Sequence, residues 1–157
     1  MRLAAMPVCE IVSPQGVLSS AEKDRVAERL CPLLLEAEGL PDTAAGRALC
    51  LVGFLETGRT YLGGKPSTLG KIVVKIHAFA NAYSDTAKST LYKGITKIFC
   101  EEHPASQATG GANVWCLILT LAAGNFGAGG MPVTLEMTRA IATEASRSAS
   151  PTSQTRQ

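Results

Sequence analysis

The sequence predicts an α/β fold, an α+β sandwich built from a duplicated β-α-β unit. It has one four-stranded mixed sheet with two helices on one face. Three observations predict it. Two helix-periodic stretches each open on a capping serine, at Ser19 and Ser84. Each lies between short runs rich in Val, Ile and Leu. The two halves so defined are about equal in length. Strands joined through a helix run parallel with right-handed crossovers.

The first half reads in order. Residues 8–12, VCEIV, are an apolar run interrupted by Glu10 and closed by Ser13-Pro14-Gln15-Gly16, which is a strand followed by a turn. Ser19 stands three residues ahead of Glu22, the spacing of a capping box. Val26, Leu30, Leu33, Leu34 and Ala37 then recur at helical spacing. Pro32 removes one backbone donor and predicts a kink or an early end to this helix. Gly39-Leu40-Pro41-Asp42 breaks the chain, and residues 49–55, LCLVGFL, read as a buried strand. Thr60-Tyr61-Leu62-Gly63-Gly64-Lys65 is a short strand running into a Gly-Gly turn.

Residues 71–79, KIVVKIHAF, are rich in β-branched side chains and predict a strand. Ser84-Asp85 caps a second helix whose stripe is Ala87, Leu91, Ile95, Ile98 and Phe99. Residues 101–112 read as a polar loop, and residues 113–121, NVWCLILTL, as another strand. The Gly-rich run AAGNFGAGG lacks the Gly-Lys-Ser/Thr ending of a phosphate loop and reads as a flexible closing segment. A short helix is expected over residues 135–145. Residues 146–157 lack an apolar anchor and read as a disordered tail. The predicted organisation is an N-terminal extension at 1–5, one domain at 6–145 and the tail.

The 157 residues suffice for one domain with a core of its own. Net charge is +2 without a basic block, so neither nucleic acid nor a membrane surface is expected as a partner. No apolar run reaches the ~18 residues of a membrane span. The five cysteines lack CxxC spacing and sit in apolar runs, so they read as reduced, buried thiols. A reducing compartment follows, and the protein is expected in the cytoplasm. The strands read as nearly continuous apolar runs, as in sheets covered on both faces. Two helices cover only one face, so other subunits are the expected cover for the second.

Residues 6–8, Met-Pro-Val, followed by TYLGG, KIVVKIHAF and NVWCLILTL in this order and spacing, resemble the tautomerase superfamily, nearest its cis-3-chloroacrylic acid dehalogenase group. The resemblance runs from about Pro7 to about Pro132. It implies a homotrimer whose sheets form a central barrel, no cofactor, and a small keto or unsaturated acid as substrate. It also implies that Pro7 is the catalytic group, exposed as the chain terminus when Met6 is the initiator and is removed. A terminal proline is a secondary amine and can carry a proton, whereas an internal prolyl nitrogen is an amide and cannot.

The likeness to the dehalogenase branch stops at its polar residues. The branch's two carboxylate-binding arginines fall at about Phe79 and Ala82, and residues 79–86 contain no arginine. Its histidine falls at about Leu34, its tyrosine at Leu117 and its glutamate near Ala128. A bidentate carboxylate clamp is therefore not available there. An apolar pocket suits a keto or aromatic compound.

Candidate substrate-binding residues are Asn81 and Tyr83, just after the third major strand, Lys75 as the cation inside that strand, and Asn125 in the Gly-rich run. Each has a plainer role to weigh: helix capping for Asn81 and Tyr83, a turn for Asn125. His77 reads as a structural histidine, His103 as a loop residue, Trp115 as a subunit contact, and Glu36 and Glu38 as solvated. No second ligand lies at useful spacing from either histidine, so no metal site is expected. The reading on these grounds is proton transfer next to a carbonyl, or related dehalogenase or hydratase chemistry. Its rival is a noncatalytic protein of the same fold acting as a structural or interaction partner.

Overall fold

The structure is a computed structural model that describes residues 7–68 and 70–147. The extension at residues 1–5 and the tail from residue 148 onward lie outside the described residues. In chain order the elements are β1 Val8–Pro14, α1 Ser20–Glu38, α2 Ala44–Arg47, β2 Leu51–Thr57, β3 Tyr61–Leu62, β4 Lys65–Pro66, β5 Ile72–Phe79, α3 Asp85–Glu102, α4 Pro104–Ala108, β6 Val114–Leu121, β7 Gly127–Ala128, β8 Met131–Pro132 and α5 Leu135–Arg147.

The main sheet has the order β2-β1-β5-β6. β1 and β2 are parallel, as are β5 and β6, while β1 and β5 are antiparallel neighbours at the centre. Two parallel pairs joined through an antiparallel centre make the predicted mixed sheet. The central register runs from Val8 opposite His77 to Val12 opposite Val73.

Period-two alternation separates the faces. Cys9, Ile11, Ile72, Val74 and Ile76 point to the helices and are fully buried. They meet Val26, Leu30 and Leu34 of α1 and Leu91, Ile95 and Phe99 of α3, all equally buried. The two helices also pack on each other. Arg29 reinforces that contact by pairing with Glu101 and Glu102, and Arg25 with Glu102.

The opposite face is open in the single chain. Leu51 is 60% exposed, Trp115 48%, Leu55 47%, Leu117 45% and Leu119 39%. The strand at residues 49–55 was expected to be buried. β2 is instead an edge strand whose outer face has no cover, and it begins two residues later.

Both major helices start as their serines predict. Ser19 accepts from the Glu22 N–H at 3.2 Å, and Glu22 Oε2 accepts from the Ser19 N–H at 2.7 Å. Ser84 accepts from the Ala87 N–H at 3.1 Å. Pro32 does not end α1, which runs unbroken to Glu38. Leu30, Leu34 and Leu35 on either side of it are fully buried, and that packing outweighs the missing backbone bond.

The segment 101–112 is not a simple loop. Pro104 occupies the first turn of α4, where its fixed φ fits and its missing N–H costs nothing. The Gly-rich run folds as the hairpin β7–β8, turned by Gly129 and Gly130 at φ 60° and 81°. It is the counterpart of the hairpin β3–β4 around Gly63 and Gly64.

Ile76 tests the two-faced description. Ile76→Ala removes a fully buried side chain from the centre of the sheet. The expected loss is about 2–5 kcal/mol, read by urea denaturation.

Candidate functional site

The topology collects one end of every major element at one end of the sheet. β1 and β2 start there, and β5 and β6 finish there. α1 ends there because it runs back along β1. The side chains at this end form the candidate site.

Pro7 stands at the head of β1 and is buried. Its carbonyl accepts from the Leu51 N–H at 3.0 Å, which ties the first described residue to the start of β2. Beside it, α1 terminates on Gly39 at φ 70°, a left-handed cap that suits glycine. The Leu40 N–H closes back on the Leu35 carbonyl at 2.9 Å.

Glu38, the last residue of α1, was expected to be solvated. It is 1% exposed. The reason is in the spacing: Val26, Leu30, Leu34 and Glu38 fall every four residues, so Glu38 continues the apolar stripe. Tyr83 Oη donates to Glu38 Oε1 at 3.3 Å. Glu38 Oε2 has no hydrogen-bond partner. Burial raises the Glu38 pKa to about 7, against smaller opposing effects of the Tyr83 bond and of Arg139. Arg139, on α5, reaches the same point, and its Nη2 donates to the Glu38 carbonyl at 3.4 Å.

Thiols flank the pair. Cys9 is fully buried on β1, and burial pushes it up to about 12. Burial likewise raises Cys50, which stands just before β2 and also feels Cys31, Cys9 and Glu38. Such thiols stay protonated and are poor nucleophiles. Burial first, then Glu38, also raises Tyr83. Below about pH 7 the groups at this end are therefore neutral acids and hydrogen-bond donors.

A cavity of about 170 Å³ opens at the ends of β5 and β6. Phe79, Asn81, Leu121, Gly124, Val133 and Leu135 line it. Phe79 packs edge-on against Phe126, with ring centroids 5.9 Å apart. Asn81 has φ 67°, and among the described residues no other non-glycine residue has positive φ. Held strain of this kind is enriched at functional sites.

Of the sequence candidates, Pro7, Asn81 and Tyr83 meet at this end. Tyr83 spends its hydroxyl on Glu38 and is itself buried. Asn125 is exposed, and its N–H donates to the Ala122 carbonyl at 3.1 Å in a turn. Lys75 sits in the middle of β5, opposite Glu10 in the register. Glu10 also pairs with His77, Oε2 to Nε2 at 2.9 Å. Glu38 and Arg139 were not among the candidates. The stripe periodicity could have found Glu38. Arg139 has no local signal, since it lies 101 residues from Glu38. Among the described residues no cluster of three or more His, Cys, Asp or Glu could hold a metal, and no helix is long and apolar enough to cross a membrane.

The Glu38 shift predicts a pH dependence. Its folded value, about 7, lies above the ordinary 4.5. The native state therefore holds the proton more tightly than the unfolded chain. This contribution to stability is complete below the unfolded value and is lost as pH rises through about 7. Urea midpoints at about pH 5 and about pH 8 should reveal a loss of about 2–3 kcal/mol that Glu38→Gln removes. Glu22 acts elsewhere on the scale. Burial opposes its ionisation, but bonds from His103 and Ser19 hold it at about 2, so its contribution is full above the ordinary 4.5 and is lost as pH falls from there through about 2.

The same fold occurs in solved structures. A fused 4-OT, an asymmetric trimer, superposes with a TM-score of 0.65 at 20% identity, over 80% of this chain and 95% of that one. N1, a member of the cis-3-chloroacrylic acid dehalogenase family, gives 0.66 at 18% identity over 94% of each chain. Pt0534, solved after inactivation by 2-oxo-3-pentynoate, gives 0.66 at 17% identity over 83% of this chain and 98% of that one. No family model matches the sequence, and no curated protein matches it. The chain shares the fold of these three proteins.

Proposed function

We propose that the protein is a tautomerase-superfamily enzyme, acting as a homotrimer, that uses Pro7 to move a proton at the carbon beside a carbonyl. One observation carries the reading. Pro7 lies buried at the head of the central strand, at the end of the sheet that also holds the cavity and the Glu38–Tyr83 pair. In this reading translation starts at Met6, and removal of that methionine frees a secondary amine. An α-amino group titrates near about 7.7–8.0 when unperturbed, and burial lowers it. The neutral amine then takes a proton from carbon and returns it at another position.

Residues 79–86 lack arginine, which favours a small keto compound over a halogenated or unsaturated acid. Asn81, which lines the cavity, is the proposed contact for the substrate's polar end. Asn125 is assigned to the mouth. Lys75, on the open face, is assigned to the interior of the assembly. The apolar open face supports the trimer, because it needs a cover of its own kind. The free thiols support a reducing compartment such as the cytoplasm.

The second reading is a noncatalytic protein of this fold serving as a structural or interaction partner. The six residues that precede Pro7 favour it, because behind them the nitrogen is an amide.

The conjugated triple bond of 2-oxo-3-pentynoate accepts a neutral amine, so the compound reports a free Pro7. A chain beginning at Pro7 should gain one adduct by mass and should ketonise phenylpyruvate. Pro7→Ala should abolish both. Absence of adduct and turnover with Pro7 free would favour the noncatalytic reading. Light scattering should give a trimer, and Leu117→Lys on the open face should dissociate it. A stable monomer in the unsubstituted protein would count against the assembly.

A further inference from the structure

Two buried side-chain atoms among the described residues lack a hydrogen-bond partner, Glu38 Oε2 and His103 Nε2. His103 has a structural role: its Nδ1 pairs with Glu22 at 2.9 Å across the start of α1. Glu38 Oε2 has no such explanation. It lies at the candidate site, and the fold gives it nothing to bond.

The bond that does exist is satisfied with the carboxyl proton on the other oxygen. The Tyr83 hydroxyl donates to Oε1, so Oε1 is an acceptor. A neutral carboxyl carries one O–H, which leaves that proton on Oε2. Below about pH 7 the site then holds a buried hydroxyl-type donor without an acceptor. The groups around Glu38 leave this arrangement standing. Tyr83 comes from the segment after β5, Cys9 from β1, Cys50 from the start of β2 and Arg139 from α5. The thiols and the phenol are neutral, and Arg139 is bonded to the Glu38 carbonyl. None of them accepts a hydrogen bond from Oε2.

We propose that Glu38 Oε2–H donates a hydrogen bond to the carbonyl oxygen of the substrate and stabilises it as an enolate, with Tyr83 holding the other oxygen of the carboxyl. The proposal rests on the reading of Pro7 as the base. It adds a second catalytic group and a substrate class: a ketone or aldehyde recognised at its carbonyl, with no carboxylate required. The step balances within the site. The bond from the α-carbon to hydrogen breaks, and the proton goes to the Pro7 amine. The electron pair left on carbon forms the C=C bond, and the C=O π pair moves to oxygen, where Glu38 donates. Return of the proton from Pro7 to carbon restores the amine. A carboxylic acid kept neutral by an apolar site is a good enolate stabiliser, because its strength is greatest as charge appears on the oxygen. Arginine is then dispensable for the chemistry.

The test compares exchange of the α-protons of phenylacetone, a ketone without a carboxylate, in heavy water followed by NMR. The proteins begin at Pro7 and give the circular dichroism of the full chain. They are the unsubstituted enzyme, Pro7→Ala, Glu38→Ala, Glu38→Gln and Tyr83→Phe. The unsubstituted rate should fall as pH rises through about 7, where Glu38 loses its proton. Glu38→Ala should lose on the order of 10²–10³ in rate. Glu38→Gln keeps an N–H donor that does not ionise. It should retain the rate within roughly tenfold and lose the fall near neutrality. Tyr83→Phe should slow exchange and move that fall. Exchange that needs Pro7 but proceeds equally fast in Glu38→Ala overturns this proposal and leaves the Pro7 reading intact. A Glu38→Gln profile that still falls near neutrality overturns it as well, and serves if Glu38→Ala does not fold. No exchange in the unsubstituted enzyme overturns the Pro7 reading and this proposal with it.

Discussion

The antiparallel pairing of β1 with β5 is the contact on which the structure depends. Each β-α-β half is a parallel pair with one helix, and neither half covers its own sheet edge. Pairing Val8 with His77 through to Val12 with Val73 joins the halves into one sheet and sets α1 beside α3. The same register fixes the site. It puts the head of β1 next to the end of β5, so Pro7 arrives among residues that lie about 70 positions further along the chain. A slip of one residue would turn Cys9 and Ile11 away from the helices and expose them.

The two faces of the sheet then divide the work. The helical face is closed with fully buried aliphatics. The other face mixes exposed leucines and Trp115 with a polar centre of Glu10, Lys75 and His77. The end of the sheet serves neither face. Burial raises the acids there, so that Glu38 keeps its proton up to about pH 7 and the thiols and Tyr83 well beyond it.

Much of this fold is written in local pattern. Ser19 with Glu22, Ser84 with Ala87 and the alternation of residues 72–78 are decided by neighbours in sequence, and they form as read. The misreadings share one cause, tertiary context. Pro32 reads as a breaker until three buried leucines hold the helix through it. The glycines at 129 and 130 read as flexibility until Gly127 and Ala128 find Met131 and Pro132 across the turn. At the site, Pro7 and Tyr83 stand out by residue type and position. Glu38 was legible in its spacing, though acidic residues at a helix end are usually solvated, and the stripe decided otherwise. Arg139 reaches the site only through the packing of α5, which no window of sequence contains.

The account turns on the nitrogen of Pro7, which is a base if it ends the chain and an amide if it does not. Intact-mass analysis of the untagged protein from its own source measures this directly. The account predicts a mass that starts at Pro7, with residues 1–6 absent. A mass that includes Met1 through Met6 would contradict it, because a prolyl amide can neither take nor return a proton.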